Sequence, residues 1–275
     1  MDFLLLIKAA VLGIVEGVTE FLPISSTGHL ILAGDLLNFM SHKKREIFEI
    51  SIQLGAILAI CWEYRARFMS TFAGLGHNAI ANMLVINIAI AFMPLAVLGL
   101  LFGDQIKALL FKPVPVAIAF IVGALIILLA EKRQHVIKIE TVDDIRPLDA
   151  VKLGLAQAVA LVPGMSRSGA TIIGGLFLGL SRKAATEFSF FLAVPTLGIA
   201  SLYSMYKNSA LFSMADLGAW IVGFVCAFVS AMIAVRALIR YVSQHDFTIF
   251  AWYRIVFGMV VLFTAYTGVV NWSVT

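Results

Sequence analysis

Six stretches of this chain stay apolar for about the length of a bilayer core, and no other feature restricts its fold as strongly. A hydrocarbon core of about 30 Å takes roughly 20 helical residues to cross. The segments 47–64, 82–102, 114–131, 186–206, 217–239 and 249–270 meet or approach that length. Composition agrees: 61% of the 275 residues are hydrophobic and 13% charged, against roughly 45–50% and about 25% in soluble domains. A soluble sphere of this size has too little interior to hide so much apolar side chain, and the mean hydropathy is +0.99. Soluble enzymes, nucleic-acid binders and disordered chains are excluded. The net charge of +4 is no sign of a nucleic-acid partner, because membrane proteins place Lys and Arg in their cytoplasmic loops. The expected class is an all-α polytopic membrane protein, with residues 1–275 forming one integral membrane domain.

Cys61 and Cys226 lie in apolar runs, without a CxxC or a nearby His cluster. They read as apolar-face thiols, belonging to neither a disulfide framework nor a zinc site. The N-terminus, MDFLLLIKAAVLGIVEGVTE, lacks a positive leader and a small-residue cleavage site, so it is read as mature structure and not as a signal peptide.

Two further apolar segments, roughly 8–37 and 150–180, are interrupted at their centres by PISSTGH (Pro23–His29) and PGMSRSGAT (Pro163–Thr171). Broken backbone at membrane depth is tolerated only where protein or a water-filled cavity satisfies its polar groups. Both segments are therefore expected to be re-entrant helical hairpins with polar tips. Sliding the chain by 141 residues sets Gly13–Leu30 over Gly154–Thr171, matching Gly13 with Gly154, Val18 with Val159, Ser25 with Ser166 and Gly28 with Gly169. Each half then holds one hairpin followed by three spans. A hairpin returns to its starting side and three spans cross, so the second half begins on the opposite face. The expectation is an inverted-topology repeat of six transmembrane helices plus two re-entrant helical hairpins, with halves of approximately 1–140 and 141–275. In such folds the interrupted segments meet near the midplane and form the site.

Orientation follows from the basic residues. Lys8, Lys43, Lys44, Arg45, Lys107, Lys112 and Lys207 fall on the side of the N-terminus. Arg65, Arg67, Lys132, Arg133, Lys138, Arg146, Lys152, Arg182, Lys183, Arg236 and Arg240 fall on the other. The richer side is expected in the cytoplasm and both termini outside. Arg167 and Arg254 belong to neither side and sit within apolar stretches.

An ionised residue within a span costs roughly 2.5–3.5 kcal/mol on insertion scales, so its default reading is functional. Glu16 and Glu20 are four apart and share a helix face. Such a pair makes sense if a divalent cation lies between them, if they share a proton, or if Arg167 approaches. Mg2+ and Ca2+ both prefer carboxylate oxygens. Gly13 and Gly17 form a GxxxG that permits close helix packing. The first tip supplies Ser25, Ser26, Thr27 and His29; N-capping explains one or two of the hydroxyls, and a His within reach of a Ser activates it as a nucleophile. The second tip adds Ser166, Arg167, Ser168 and Thr171. An Arg fork matches phosphate oxygens, and helix-start N–H groups complete an anion cradle. A structural Arg–Glu pair is the plainer reading of Arg167. Glu49 and Glu187 each open a span, either as acids favoured by the helix dipole or as support for the tips. Arg254 either pairs with a carboxylate or snorkels. Together the tips suit phosphoryl transfer from a substrate with its phosphate at the membrane surface and its tail in lipid.

EGVTEFLPISSTGH and LVPGMSRSGATIIGG closely resemble the signature stretches of the bacterial undecaprenyl-diphosphate phosphatases, the bacitracin-resistance family. FEISIQLGAILAI (Phe48–Ile60) and EFSFFLAVP (Glu187–Pro195) resemble its flanking segments, and the similarity covers essentially the whole chain. The resemblance implies a divalent-cation-dependent (Mg2+ or Ca2+) hydrolysis of undecaprenyl diphosphate to undecaprenyl phosphate. That lipid carrier serves peptidoglycan synthesis, and the family's activity confers resistance to bacitracin. It also implies a multi-pass protein of the bacterial cytoplasmic (inner) membrane with its site open to the periplasm; a homodimer is compatible with it. The family's acidic motif falls on Glu16 and Glu20, its Ser/His motif on Ser25, Ser26, Thr27 and His29, and its Arg motif on Ser166, Arg167, Ser168 and Thr171. The lipid phosphatases with a KxxxxxxRP, PSGH, SRxxxxxxHxxxD signature match poorly: the sole RP pair, Arg146–Pro147, follows the PISSTGH stretch instead of preceding it.

The expected mechanism has Glu16 and Glu20 holding the cation, Arg167 stabilising the transferring phosphoryl, and Ser26 attacking with His29 as general base. Attack by His29 or by water is the alternative. The rival function is a transporter, since inverted repeats with broken helices are a common transporter plan. The Ser–His pair beside carboxylates and an Arg speaks for an enzyme, and lipid flipping in addition stays open.

Overall fold

The computed structural model describes residues 3–133, 136–208 and 213–272. With few polar partners available in an apolar surrounding, backbone groups must be satisfied within each segment, and the described chain is accordingly helical. The first half holds α1 (Phe3–Thr19), α2 (Ser26–Leu36), α3 (His42–Glu63), α4 (Arg65–Ala73), α5 (Ala79–Leu110) and α6 (Pro113–Lys132). The second holds α7 (Pro147–Ala158), α8 (Arg167–Leu178), α9 (Arg182–Lys207), α10 (Leu217–Val242) and α11 (Thr248–Thr267). The boundaries have local causes. The Asn78 side chain accepts the Ile80 and Ala81 N–H groups and starts α5, and the Ser181 hydroxyl accepts the Ala184 N–H and starts α9, as N-caps do. Pro113 opens α6 at a position where its missing N–H costs nothing.

Among the described residues, five helices are long and apolar enough to cross a membrane: Ala79–Leu110, Pro113–Lys132, Arg182–Lys207, Met214–Val242 and Thr248–Thr267. A sixth is reached when α3 and α4 are taken together across a 71° bend. The expected span at 47–64 is thus part of a bent pair. Its first turns carry His42, Lys43, Lys44, Arg45 and Glu46, which keep that end polar. Large apolar side chains such as Leu100 and Tyr266 stand almost fully exposed on the perimeter, where an acyl phase is their natural solvent. The protein is an all-α polytopic membrane protein.

Each interrupted segment is a pair of short helices, α1 with α2 and α7 with α8, joined through an irregular tip. The residue preceding α2, Ser25, has φ 68° and ψ 105°. The residue preceding α8, Ser166, has φ 68° and ψ 117°. These are the two serines that the 141-residue offset superposes. A non-glycine residue held there stores on the order of 1–3 kcal/mol, so a backbone conformation and not merely a residue type recurs. The packing recurs as well: α1 lies on α10 and α7 on α5, while α6 pairs with α11 and α3 with α9. Close approach of α1 to α10 needs its glycines. A Cβ on Gly13 would stand 2.3 Å from the Gly223 carbonyl oxygen, and one on Gly17 would stand 2.4 Å from that of Ala227.

The end of the molecule holding the carboxyl ends of α3, α6 and α10 is tied by ion pairs. Arg182 grips Glu131 at 2.5 Å, Arg236 reaches Glu63 at 2.7 Å, and Arg67 pairs with Asp143.

Candidate active site

The two tips meet, and one buried cation accounts for how. Arg254, on α11, has no exposed surface. It pairs with no carboxylate and does not snorkel, in contrast to both sequence expectations. Its guanidinium donates instead to five backbone carbonyls: Pro23 of the first tip at 3.3 Å, Gly164 and Met165 of the second at 2.9 and 3.2 Å, and Ala119 and Phe120 of α6 at 3.0 and 3.2 Å. The guanidinium carbon also stands 5.2 Å from the centre of the Phe120 ring, a cation–π distance. Irregular tips leave carbonyls without helical partners, and a planar fork of five N–H donors satisfies carbonyls from both tips at once. A direct bond completes the junction, from the Ser168 hydroxyl to the Leu22 carbonyl at 2.8 Å.

At that junction stand Glu16, in the last turn of α1, and Glu20, the residue that follows the helix. The Ser26 hydroxyl, at the first residue of α2, donates to Glu20 Oε2 at 2.5 Å. Arg167 Nη2 lies 3.4 Å from the other oxygen of the same carboxylate. Arg167 Nη1 donates to the Ser189 carbonyl at 2.9 Å and contacts its hydroxyl at 3.3 Å, while Nε has no partner. The fork is therefore anchored on one arm and partly free on the other. Glu16 is fully buried, and neither of its oxygens has a hydrogen-bond partner. Glu20, Glu49 and Arg167 are the charges acting on it, with Gln53 alongside.

The sequence-predicted residues divide accordingly. Glu16, Glu20, Ser26 and Arg167 converge. His29 does not reach Ser26: its Nδ1 lies 2.7 Å from the Ser25 carbonyl and its Nε2 2.7 Å from the Tyr253 hydroxyl. A carbonyl only accepts, so Nδ1 carries the proton, and in the neutral ring Nε2 accepts from Tyr253. The ring also stacks on Phe257, centroids 3.9 Å apart. His29 thus braces the unusual Ser25 backbone. The hydrogen-bond neighbour of the Ser26 hydroxyl is Glu20. Ser166 accepts the Gly169 N–H as an N-cap at 3.1 Å, and Thr171 donates to the Arg167 carbonyl at 3.0 Å, so both shape α8. Thr27 faces a cavity of about 1180 Å3 on the other side of the tip, which Glu49 also lines. Glu49 does not open a helix; it lies inside α3 with Oε1 buried and unpartnered. Glu187, inside α9, has its own set of neighbours, Tyr64, Lys183, Arg67 and Asp143.

Tyr253, Ser189 and Gln53 were not singled out from the sequence. Ser189 carried a signal, a hydroxyl within the apolar run FSFFLAV, whereas nothing local marks Tyr253 as the partner of a histidine 224 positions away.

The family model described as bacitracin resistance protein BacA matches residues 9–260, a range that contains every residue of this junction. The chain belongs to this family. Among its relatives, Undecaprenyl-diphosphatase 2 of Rhodospirillum rubrum is 64% identical over 273 residues, covering 99% of this chain and 100% of the relative. Undecaprenyl-diphosphatase of Nitrosospira multiformis is 60% identical with the same coverage. That of Cellvibrio japonicus is 55% identical over 100% of both chains. Coverage at this level makes the BacA-family similarity one of whole molecules, tips and spans together.

The donor set fits a hard divalent cation. A buried carboxylate without donors is costly to leave uncompensated, both oxygens of Glu16 are in that condition, and oxygen ligands are what Mg2+ and Ca2+ take. Among the described residues no three His, Cys, Asp or Glu side chains converge on a single metal position, so the protein alone forms no closed cage. Magnesium sites that keep waters and are completed by substrate phosphate have that character.

Proposed function

We propose that this protein hydrolyses undecaprenyl diphosphate to undecaprenyl phosphate and inorganic phosphate, regenerating the lipid carrier for peptidoglycan synthesis and thereby conferring bacitracin resistance. The observation that carries the reading is the buried junction of Ser26, Glu20 and Arg167, with the hydroxyl 2.5 Å from one carboxylate oxygen and the guanidinium 3.4 Å from the other. The family and the names of its relatives supply the substrate.

Phosphoryl transfer is catalysed mainly by positioning and electrostatics. Ser26 Oγ forms the bond to the terminal phosphorus as its proton passes to Glu20 Oε2, and the anhydride bond to the lipid phosphate breaks. Water then attacks the phosphoserine; Glu20 returns its proton to Oγ, and inorganic phosphate leaves with the proton of the water. Glu20 is thereby the base in place of the histidine expected from the sequence, and His29 keeps the tip in shape. Arg167, anchored on Ser189, turns its unpartnered Nε and its Nη2 toward developing charge. Glu16 and Glu20 would hold a divalent cation, Mg2+ or Ca2+. Bound there, the cation would neutralise diphosphate oxygens that otherwise repel the carboxylates.

In this reading the two halves, approximately 1–140 and 141–275, form an inverted repeat in the bacterial inner membrane, and the site faces the periplasm. The recurrence of backbone conformation at Ser25 and Ser166 supports the repeat. The cavity at the end bearing Lys107 and Lys112, lined by Thr27 of the first tip, supports access from that side.

The test is phosphate release from C55 and shorter prenyl diphosphates by the detergent-solubilised protein, with added Mg2+, with Ca2+ and with EDTA. Release that stops on chelation is the expected result. Wild-type protein that binds the lipid and releases no phosphate overturns the enzyme reading.

A further inference from the structure

The cavity beyond the first tip is large, about 1180 Å3, and its wall is chemically uneven. Its lining includes Thr27, the residue after Ser26, and Glu49 of α3, so the cavity reaches the first tip. Its outer part is lined by Lys43, Arg45, Lys107 and Lys112, against the acids Asp35 and Glu46. With Glu49 the lining sets three acids against four basic side chains, so a net positive charge remains. Arg45 is committed inward, donating to the Phe39 carbonyl at 3.0 Å with Asp35 at 4.0 Å. Lys107 reaches Glu46 at 3.5 Å, with both side chains largely in solvent, a pairing that contributes little. Among the described residues Lys43 and Lys112 have no carboxylate partner, and both stand exposed. Lysines without a strong counter-charge therefore line the cavity that reaches the first tip.

Cationic walls of low dielectric focus the field for an anion, and the product of phosphoryl transfer is one. We propose that the cavity is a phosphate-binding antechamber in which Lys43, Lys107 and Lys112 hold a phosphate group in transit between bulk water and the Ser26–Arg167 junction. The proposal rests on the phosphatase reading for its direction of traffic, though not for its chemistry. The ligand is a phosphate group, supplied either as inorganic phosphate leaving the site or as an anionic lipid headgroup at the membrane surface.

The experiment compares wild type with a Lys107→Gln/Lys112→Gln variant, a Lys43→Gln variant and a charge-keeping Lys107→Arg/Lys112→Arg variant. All are checked for a monodisperse elution profile in detergent. Inorganic phosphate is titrated as a product inhibitor while undecaprenyl phosphate formation is followed by chromatography. For the double Gln variant the inhibition constant is expected to rise, and kcat/KM at low ionic strength to fall, each on the order of tenfold. Both differences shrink in high salt, where the screening length drops to about 3 Å at 1 M, and the Arg variant keeps wild-type values. In a second arm, nanodiscs of phosphatidylglycerol are compared with nanodiscs of phosphatidylcholine. A difference between wild type and variant confined to the phosphatidylglycerol discs assigns the phosphate to a lipid, and one seen with inorganic phosphate assigns it to the product. A double Gln variant that matches wild type in both arms overturns the antechamber. Should wild type release no phosphate, the phosphatase reading fails on its own. Calorimetric titration with inorganic phosphate then still decides: binding lost in the double Gln variant supports the antechamber, and binding retained or absent in wild type overturns it.

Discussion

At the scale of single residues, the site is organised by groups that carry unusual conformations or unusual charges. Ser25 and Ser166 hold positive φ without being glycine, and each is followed by a helix that starts at the junction. The strain is offset by bonds within each tip, His29 on the Ser25 carbonyl and Ser166 on the Gly169 N–H, and by Arg254 across both tips. Arg254→Met removes the guanidinium donor of the Pro23, Gly164 and Met165 carbonyls of the tips, each costing about 1–3 kcal/mol before relaxation. We expect its thermal midpoint in detergent to fall well below that of wild type, with Arg254→Lys in between. Ser26→Ala in a well-folded preparation is expected to abolish turnover; retention of most of kcat would assign the attack to water or to His29. Arg167→Ala removes a donor aimed at developing charge, for which losses on the order of 10²–10³ in rate are typical. It should appear in kcat more than in KM, and steady-state kinetics on C55 substrate would reveal it.

Among the elements, the interrupted segments depend on neighbours that lie close enough to replace water. Helix α1 reaches α10 through Gly13 and Gly17, so that backbone meets backbone, the arrangement small residues permit in membranes. The consequence is local: α1 carries Glu16 and leads directly into Glu20, and their depth and facing follow from that contact. Gly17→Val would put side-chain atoms onto the Ala227 carbonyl and the Ser230 hydroxyl. Overpacking of this kind costs about 1–3 kcal/mol. We expect a lower thermal midpoint together with reduced turnover, because α1 cannot shift without taking the carboxylates with it. Gly198→Ala is the matched control. It lies in α9 with nothing within 4 Å of the added Cβ, so the helix should gain about 0.5–1 kcal/mol, readable as an equal or higher midpoint with activity unchanged.

For the whole molecule, the two ends differ in what they hold. Ion pairs occur at both, and the end bearing Lys107 and Lys112 also holds a cavity that reaches the first tip. The proposed orientation, with the arginine-rich end in the cytoplasm, predicts that Lys112→Cys in a background without Cys61 and Cys226 reacts with a membrane-impermeant maleimide in intact cells. Lys183→Cys should react only after permeabilisation. The reverse labelling pattern would invert the orientation.

The amino-acid sequence by itself determined the class, the helices and the place of the chemistry. Apolar runs of span length permit only helices, and Glu16, Glu20 and Arg167 have no loop to occupy, so each stood out against its surroundings. Two copies of a broken segment also announced that the breaks belong together. Pairings across the fold lay beyond that reading, because they depend on direction and depth and not on residue type. His29 lies three residues from Ser26 in sequence, yet its ring turns to Tyr253 on α11, leaving the serine to Glu20. Arg254 looked like a charge in need of a counter-charge, whereas carbonyls freed by the two tips satisfy it. Backbone oxygens carry no signature in the sequence; only the folded chain brings five of them to one guanidinium.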